Sequence, residues 1–166
     1  EKGDTKNIEI LLDEEIKAGE MRFKINRTSK TASLFDIMSI NECIIVPRSI
    51  EHQGESYIVT SITSTDKSEN KIRRLLFEPS SEIHTFYANS FSGSKIEYLY
   101  IPPHLKELKS GWCAFDEKLT KIEVSPENKD FILKDNTFLL GKSDPKSDNF
   151  DVLVFAVRNI SDAKIP

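Results

Sequence analysis

Three segments of this 166-residue chain carry the same spacing of apolar residues. The segments are 57–79, 84–102 and 106–126, and each is anchored on one apolar residue: Ile62, Phe86 and Leu108. The anchors lie 24 and 22 residues apart, and three further apolar residues follow each of them at nearly constant distances. A unit of this length cannot bury an apolar face alone, so we expect the units to stack on one another.

The residues that follow the anchors form an L-x-x-L-x-L pattern. They are Ile72, Leu75 and Phe77 in the first unit, Ile96, Leu99 and Ile101 in the second, and Leu119, Ile122 and Val124 in the third. This pattern, with a period of roughly 20–29 residues, is typical of leucine-rich-repeat solenoids. We therefore predict a mostly β fold in which short parallel strands stack in coils. Solenoids of this kind act through their surface residues, which favours recognition over catalysis.

Composition narrows the possible partners. The net charge is −4, and acidic and basic residues are interspersed along the chain. This distribution argues against a nucleic-acid partner or an anionic membrane surface. No apolar run reaches the roughly 18 residues needed to cross a bilayer. We expect contact with a membrane only through regions outside this chain.

The N-terminal part is predicted to cover the first coil of the array, because a solenoid otherwise exposes its end layer. Residues 21–25 and 31–37 alternate between apolar and polar positions, and a polar turn at 26–30 separates them. We interpret this as a β-hairpin. Residues 7–19 permit either a short amphipathic helix or a lone edge strand. The predicted cap therefore consists of a β-hairpin with a short helix, over residues 1–40.

The remainder continues the repeat and then interrupts it. We predict a single leucine-rich-repeat domain over 1–166, with repeats in 41–125 and an interrupted repeat in 126–166. A second hairpin is expected in 49–62, with its turn at 53–55, and two apolar strands are expected at 137–141 and 151–157. Residues 163–166 restart the repeat strand, which indicates a fragment of a longer array.

Residues 96–131 resemble the BspA-type leucine-rich repeat, whose consensus contains an I-P pair, an A-F pair and the terminal L-x-x-[IV]-x-[IV]. The matching residues are Ile101, Pro102, Leu105, Leu108, Ala114, Phe115, Leu119, Ile122 and Val124. The resemblance implies a parallel β-solenoid that is secreted or displayed on the cell surface, with an adhesion or interaction role known in bacteria and protist parasites. It implies no catalytic residues, no cofactor and no small-molecule substrate.

The residues between the inward-pointing apolar positions should point outward, because side chains alternate along a strand. We call the outward set in the last three repeat strands the strip. Its members are Arg74, Leu76, Tyr98, Tyr100, Lys121 and Glu123. Tyrosine and arginine are enriched at interface hot spots, so we predict that the strip binds a protein, either a host or a self surface protein. The alternative is a structural spacer without a ligand, in which the coils hold another part of the protein away from a surface.

Other candidate sites receive little support. Cys43 and Cys113 are expected to lie two or three coils apart, too far for a disulfide. The three histidines, His52, His84 and His104, lack metal-ligand spacing, so no metal site is predicted. The sequons at Asn26 and Asn159 would carry glycans only in a eukaryotic secretory route. Recognised catalytic motifs are absent from the sequence, and we expect no enzyme activity.

Overall fold

The computed structural model describes residues 14–114 and 116–157, and these residues contain fourteen strands and no helix. The strands are β1 (Glu14–Ala18), β2 (Met21–Asn26), β3 (Thr31–Ile37), β4 (Cys43–Val46), β5 (Ser49–His52), β6 (Glu55–Ile62), β7 (Arg74–Phe77), β8 (Thr85–Phe86), β9 (Tyr98–Ile101), β10 (Glu107–Leu108), β11 (Lys121–Val124), β12 (Ile132–Lys134), β13 (Phe138–Gly141) and β14 (Val152–Ala156). A helix long and apolar enough to cross a bilayer is therefore not found in this part of the chain.

The strands form three sheets. Sheet 1 has the order β1-β2-β3-β6-β8-β10, with β5 paired to β6. Sheet 2 has the order β11-β9-β7-β4, and all of its pairs are parallel. Sheet 3 is an antiparallel set of β12, β13 and β14. Each coil contributes one strand to sheet 1 and one to sheet 2, which is the arrangement of a β-solenoid.

The strand register confirms the repeat. In sheet 1, Phe86 pairs with Ile62 on one side and with Leu108 on the other. In sheet 2, the equivalent row is Ile44, Leu75, Leu99 and Ile122. The coils also share backbone hydrogen bonds between their turns, such as the one from the Phe91 amide to the Trp112 carbonyl (2.8 Å). The predicted leucine-rich-repeat solenoid is thus confirmed.

One aromatic cluster lies in the core between sheets 1 and 2. The Phe86 ring, from sheet 1, lies 6.1 Å from the Phe77 ring of sheet 2. It also lies 5.1 Å from Phe91 in an edge-to-face contact and 6.1 Å from Trp112. All four side chains are buried, and each contributes roughly 1.5–3 kcal/mol through loss of apolar contact with water. Trp112 thus supports the turn between β10 and β11 from inside the core.

The N-terminal segment that was predicted to be a cap consists of strands over its described residues, so the predicted short helix is wrong there. Glu14–Ala18 forms an edge strand that pairs antiparallel with Met21–Asn26, which is the competing interpretation. Only Ile16 of β1 is fully buried, as a strand of period two requires, and Gly19 has a φ of 60° that allows a tight turn. Residues 7–13 lie outside the described part.

Both predicted hairpins are confirmed. β2 pairs antiparallel with β3, and the Asn26 side chain accepts hydrogen bonds from the amides of Thr28 and Ser29 in the connecting turn (3.0 Å each). β5 pairs antiparallel with β6. The turn of the second hairpin contains two residues and not three, because Gln53 and Gly54 both have positive φ angles (52° and 77°) and the strand resumes at once.

The interrupted repeat contains three strands, of which two were predicted. β13 and β14 occupy the predicted apolar segments, whereas no strand was predicted at the position of β12. Sheet 3 packs on the last coil through the Phe155 ring, which lies 5.5 Å from Trp112. Residues 163–166 and the sequon at Asn159 lie outside the described residues. The division of the chain at residues 40 and 125 stays a prediction.

Buried polar side chains fasten the turns between coils. The Asn128 amide donates to the carbonyls of Pro102 and Leu105 (2.8 and 2.9 Å), and its oxygen accepts from the Asp130 and Phe131 amides. The Asp36 carboxylate accepts from the backbone amides of residues 67 and 68. These four turn amides therefore have partners, which avoids a cost of about 1–3 kcal/mol for each group that would otherwise be buried unpaired.

Candidate functional site: the outer face of sheet 2

The register of sheet 2 places all six residues of the strip on one face. Arg74 is the Cα partner of Tyr98, which is the partner of Lys121 on the next strand. Tyr100 is the partner of Glu123. Arg74, Lys121 and Glu123 are exposed, whereas Leu76 and both tyrosines are half-buried. The buried residues of the same strands, such as Leu75 and Leu99, point to the opposite side, so the alternation is as predicted.

Tyr98 lies at the centre of a chain of electrostatic contacts. The guanidinium carbon of Arg74 is 4.8 Å from the centre of the Tyr98 ring, and the ammonium nitrogen of Lys121 is 5.7 Å from it. The Tyr98 hydroxyl donates a hydrogen bond to the Glu123 carboxylate (2.5 Å). Glu123 also forms an ion pair with Lys121 (3.4 Å). These contacts hold the Tyr98 ring in one orientation in the unbound protein.

The same contacts shift the ionisation of both groups. Partial burial, followed by the hydrogen bond to Glu123, raises the pKa of Tyr98 to about 12. The hydrogen bond from Tyr98 is the main cause of a lowered pKa for Glu123. At neutral pH the pair is therefore a neutral phenol that donates to a carboxylate anion, which is the stronger, charge-assisted kind of hydrogen bond.

This hydrogen bond predicts late ionisation of Tyr98 and a loss of stability in alkali. An unperturbed tyrosine ionises near pH 10, so the folded protein holds this proton more tightly than the unfolded chain does. The resulting stability is fully present below about pH 10 and declines as the pH rises towards 12. Tyrosine ionisation can be followed by ultraviolet absorbance against pH, for the wild type and for Tyr98→Phe. The difference between the two curves should show a single transition near pH 12. A difference curve centred at pH 10 would contradict the hydrogen bond.

Tyr100 links the strip to a groove beside β11. The ring is half-buried and packs against the hydrophobic core. It lines a groove of about 840 Å³ between β11 and β12. Its lining also includes Pro126, Phe131, Leu133 and the charged residue Glu123. An aromatic ring therefore borders a concave, mixed surface at this end of the strip.

The other end of the outer face is apolar. Ile45 pairs with Leu76 across β4 and β7, and 55% of Ile45 is exposed to solvent. Cys43 is exposed on the same strand, in register with Arg74. The face thus runs from an apolar end at β4, across an aromatic and cationic centre, to the charged pair on β11.

The remaining sequence candidates are scattered over the molecule. Cys43 is exposed, Cys113 is buried, and the two form no disulfide. His104 is exposed, His52 lies 3.3 Å from Glu14, and His84 is on the outer side of sheet 1. Within residues 14–114 and 116–157, groups of three or more His, Cys, Asp or Glu side chains suited to a metal ion do not occur.

Two features of this site were not predicted from the sequence. The contacts of Tyr98 with Arg74, Lys121 and Glu123 could have been inferred, because the aligned positions place two cations and one carboxylate around one aromatic residue. The groove beside Tyr100 could not, because it depends on the position of β12, and residues 132–134 carry no repeat signal.

Comparison with known proteins gives structural similarities only. No protein-family model matches the chain, and no curated protein matches it significantly. A leucine rich cell surface protein from Faecalibacterium prausnitzii is 11% identical, with 78% of this chain and 59% of that chain covered and a TM-score of 0.30. The pneumococcal vaccine antigen PcpA is 12% identical, with 79% and 54% covered and a TM-score of 0.30. A leucine-rich repeat protein from Bacteroides ovatus is 12% identical, with 68% and 38% covered and a TM-score of 0.36.

The chain spans between 38 and 59% of the length of these three structures. The coils themselves define the fold, because parallel strands stacked in this register form a leucine-rich-repeat solenoid. The motif from Ile101 to Val124 resembles the BspA-type repeat.

Proposed function

We propose that this protein is a non-enzymatic interaction module that binds another protein through the strip. The observation that carries the proposal is the fixed Tyr98 ring, held between Arg74 and Lys121 and hydrogen-bonded to Glu123. A partner would meet an aromatic surface that is already ordered, so little side-chain entropy is lost on binding.

The chemistry of the strip fits a protein partner better than a small molecule. Arg74 and Tyr98 belong to the residue types enriched in interface hot spots, and Leu76 lies beside them. The strands lie about 4.8 Å apart, so these side chains form a continuous surface and not isolated exposed residues. A partner with an apolar segment for Ile45 and Leu76 and an acidic group for Arg74 would complement this face.

We place this function on the cell surface or in a secreted protein. The support for this location is the BspA-type motif between Ile101 and Val124, because proteins with this repeat are typically surface-displayed. Attachment to a membrane would come from regions outside this chain. Adhesion to a host or a self surface protein is then the form of interaction that we propose.

The test removes the two aromatic rings of the strip. Tyr98→Ala combined with Tyr100→Ala should reduce the affinity for a captured surface protein by at least tenfold, because each ring contributes about 1–2 kcal/mol or more at a hot spot. Partners would be captured by the 166-residue chain from surface-protein extracts, identified by mass spectrometry, purified, and titrated by calorimetry.

Tyr87→Ala provides the matched control. Tyr87 is 42% exposed and follows β8 in sheet 1, so it is an exposed tyrosine outside the strip. This variant should bind like the wild type. Equal affinity of the double variant and the wild type would contradict the site. Failure of the chain to capture any partner that a longer form of the protein binds would favour the spacer function.

A further inference from the structure

A second concave surface lies on the outer face of sheet 1, and it does not include the strip. It has a volume of about 490 Å³, and we call it the hydroxyl groove. Its lining consists of Lys24, Asn26, Thr31, Ser33, Thr60, Ser61, Thr63, Ser64, Lys67, His84 and Tyr87. Among the described residues, this lining contains no carboxylate and no aliphatic side chain. For a chain with a net charge of −4, such a surface requires an explanation.

Strand register builds the floor of the groove. Lys24 on β2 pairs with Ser33 on β3, and Ser33 pairs with Ser61 on β6. The hydroxyls of Ser33 and Ser61 hydrogen-bond to each other at 2.6 Å. From β2 across β3 to β6, this row spans about 10 Å. The floor is therefore a line of polar groups long enough for about two linked monomers of a small polar polymer.

Two ammonium groups give the groove a positive charge. The Lys24 and Lys67 nitrogens lie 5.5 and 5.3 Å from the centre of the same ring, that of Phe35. Neither lysine forms an ion pair within the described residues. The nearby carboxylate of Asp36 is fully buried, where it accepts hydrogen bonds from two backbone amides and forms an ion pair with Arg22 (3.5 Å). Both ammonium groups are thus held in place and remain available to an external anion.

The hydroxyls and the imidazole supply hydrogen bonds. The side chains of Thr60 and Ser64 form no hydrogen bond within the described residues, and Thr63 donates to the Leu34 carbonyl (3.2 Å) and keeps its acceptor capacity. Burial is the main cause of a lowered pKa for His84, which keeps the ring neutral at pH 7. Tyr87 stands exposed at the end of the groove and offers an aromatic face.

We propose that the hydroxyl groove binds an anionic oligosaccharide, with a sulfate or carboxylate on Lys24 and Lys67 and sugar hydroxyls on the Ser and Thr side chains. The combination favours this ligand over the main alternatives. A lipid or an apolar peptide would be better matched by an aliphatic wall, which this lining lacks. A neutral sugar would make no use of the two ammonium groups.

The test compares three probes by isothermal titration calorimetry on the 166-residue chain. The probes are a sulfated dextran oligosaccharide, the unsulfated oligosaccharide of the same length, and inorganic sulfate. We expect measurable binding of the sulfated sugar, at least tenfold weaker binding of the unsulfated one, and still weaker binding of inorganic sulfate. Equal binding of the two sugars, no binding of the sulfated sugar, or equal binding of sulfate and sulfated sugar would overturn the proposal.

Two variants test the assignment of charge. Lys24→Gln combined with Lys67→Gln should weaken binding of the sulfated sugar at least tenfold. The matched control, Lys17→Gln combined with Lys118→Gln, removes the same charge from two exposed lysines outside the groove. It should change the affinity less than twofold. Equal losses in both variants would show that attraction is unspecific and would overturn the site.

A third variant tests the hydroxyls and distinguishes this groove from the strip. Thr60→Val combined with Ser64→Ala should weaken the binding of the sulfated sugar severalfold and leave the affinity for inorganic sulfate unchanged. Circular dichroism would show that each variant is folded. The Tyr98→Ala, Tyr100→Ala variant should bind the sugar like the wild type, because the strip lies on sheet 2. Loss of sugar binding there would overturn the proposal, whereas loss of protein binding alone bears only on the proposed function.

Discussion

Leu99→Asp is expected to unfold the solenoid. Leu99 is 1% exposed, lies on β9 in the middle of sheet 2, and contributes to the shared core. An aspartate there would place a carboxylate in an apolar environment without partners, which costs at least about 5 kcal/mol. The free energy of unfolding of a domain is about 5–15 kcal/mol, so a loss of this size removes between a third and all of it. Urea denaturation followed by circular dichroism measures the effect.

Tyr100→Asp, one position further along the same strand, is the matched substitution. Tyr100 is half-buried on the outer face, so its replacement should cost only about 1–2 kcal/mol, part of which comes from the like charge of Glu123 on the adjacent strand. The protein should remain folded. Similar losses at residues 99 and 100 would contradict the inward and outward directions assigned to sheet 2.

Asp36→Ala should have the second largest effect on stability. The Asp36 side chain is fully buried and accepts hydrogen bonds from the amides of Lys67 and Ser68 (3.1 and 2.9 Å) and from the Ser68 hydroxyl (2.5 Å). It also forms an ion pair with Arg22. Removal would leave buried donors without acceptors, so we expect a loss of about 3–5 kcal/mol in the free energy of unfolding.

Two further variants make this measurement specific. Asp36→Asn keeps one carbonyl acceptor in nearly the same volume and should lose less than Asp36→Ala. Asp66→Ala removes an exposed carboxylate from the same loop and should lose less than about 0.5 kcal/mol. Equal stability of Asp36→Ala and Asp66→Ala would show that the buried carboxylate does not hold the loop to β3.

The coils were predictable because they repeat. Ile62, Phe86 and Leu108 face the same core in successive layers. Each coil therefore needs apolar residues at the same positions, and these residues recur in the sequence at a nearly constant spacing. The segments without a periodic neighbour were harder to predict. The spacing of apolar residues around Glu14–Ala18 is compatible with a short helix and with a strand. The segment forms a strand because it pairs with the edge of β2, and that pairing is not visible in its own sequence. β12 likewise forms because it pairs with β13, and the pattern of its own three residues does not predict a strand.

The strip was predictable in position but not in structure. Alternation along β7, β9 and β11 determines which residues point outward, and the structure agrees. The orientation of the Tyr98 ring depends on the lengths and rotamers of three neighbouring side chains, which no pattern of apolar residues specifies. The hydroxyl groove could not be predicted, because its Ser and Thr residues on β3, on β6 and in the loop after β6 form one surface only after these strands pair.

The strand order of sheet 1 has a consequence for synthesis of the chain. From β1 through β3, β6 and β8 to β10, the strands lie side by side in the order in which the ribosome makes them. The antiparallel strands at the N-terminus pair over short loops, which close quickly. Each later coil then finds its docking edge already formed. We expect this protein to fold during translation, one coil at a time, with the N-terminal hairpins as the template for everything that follows.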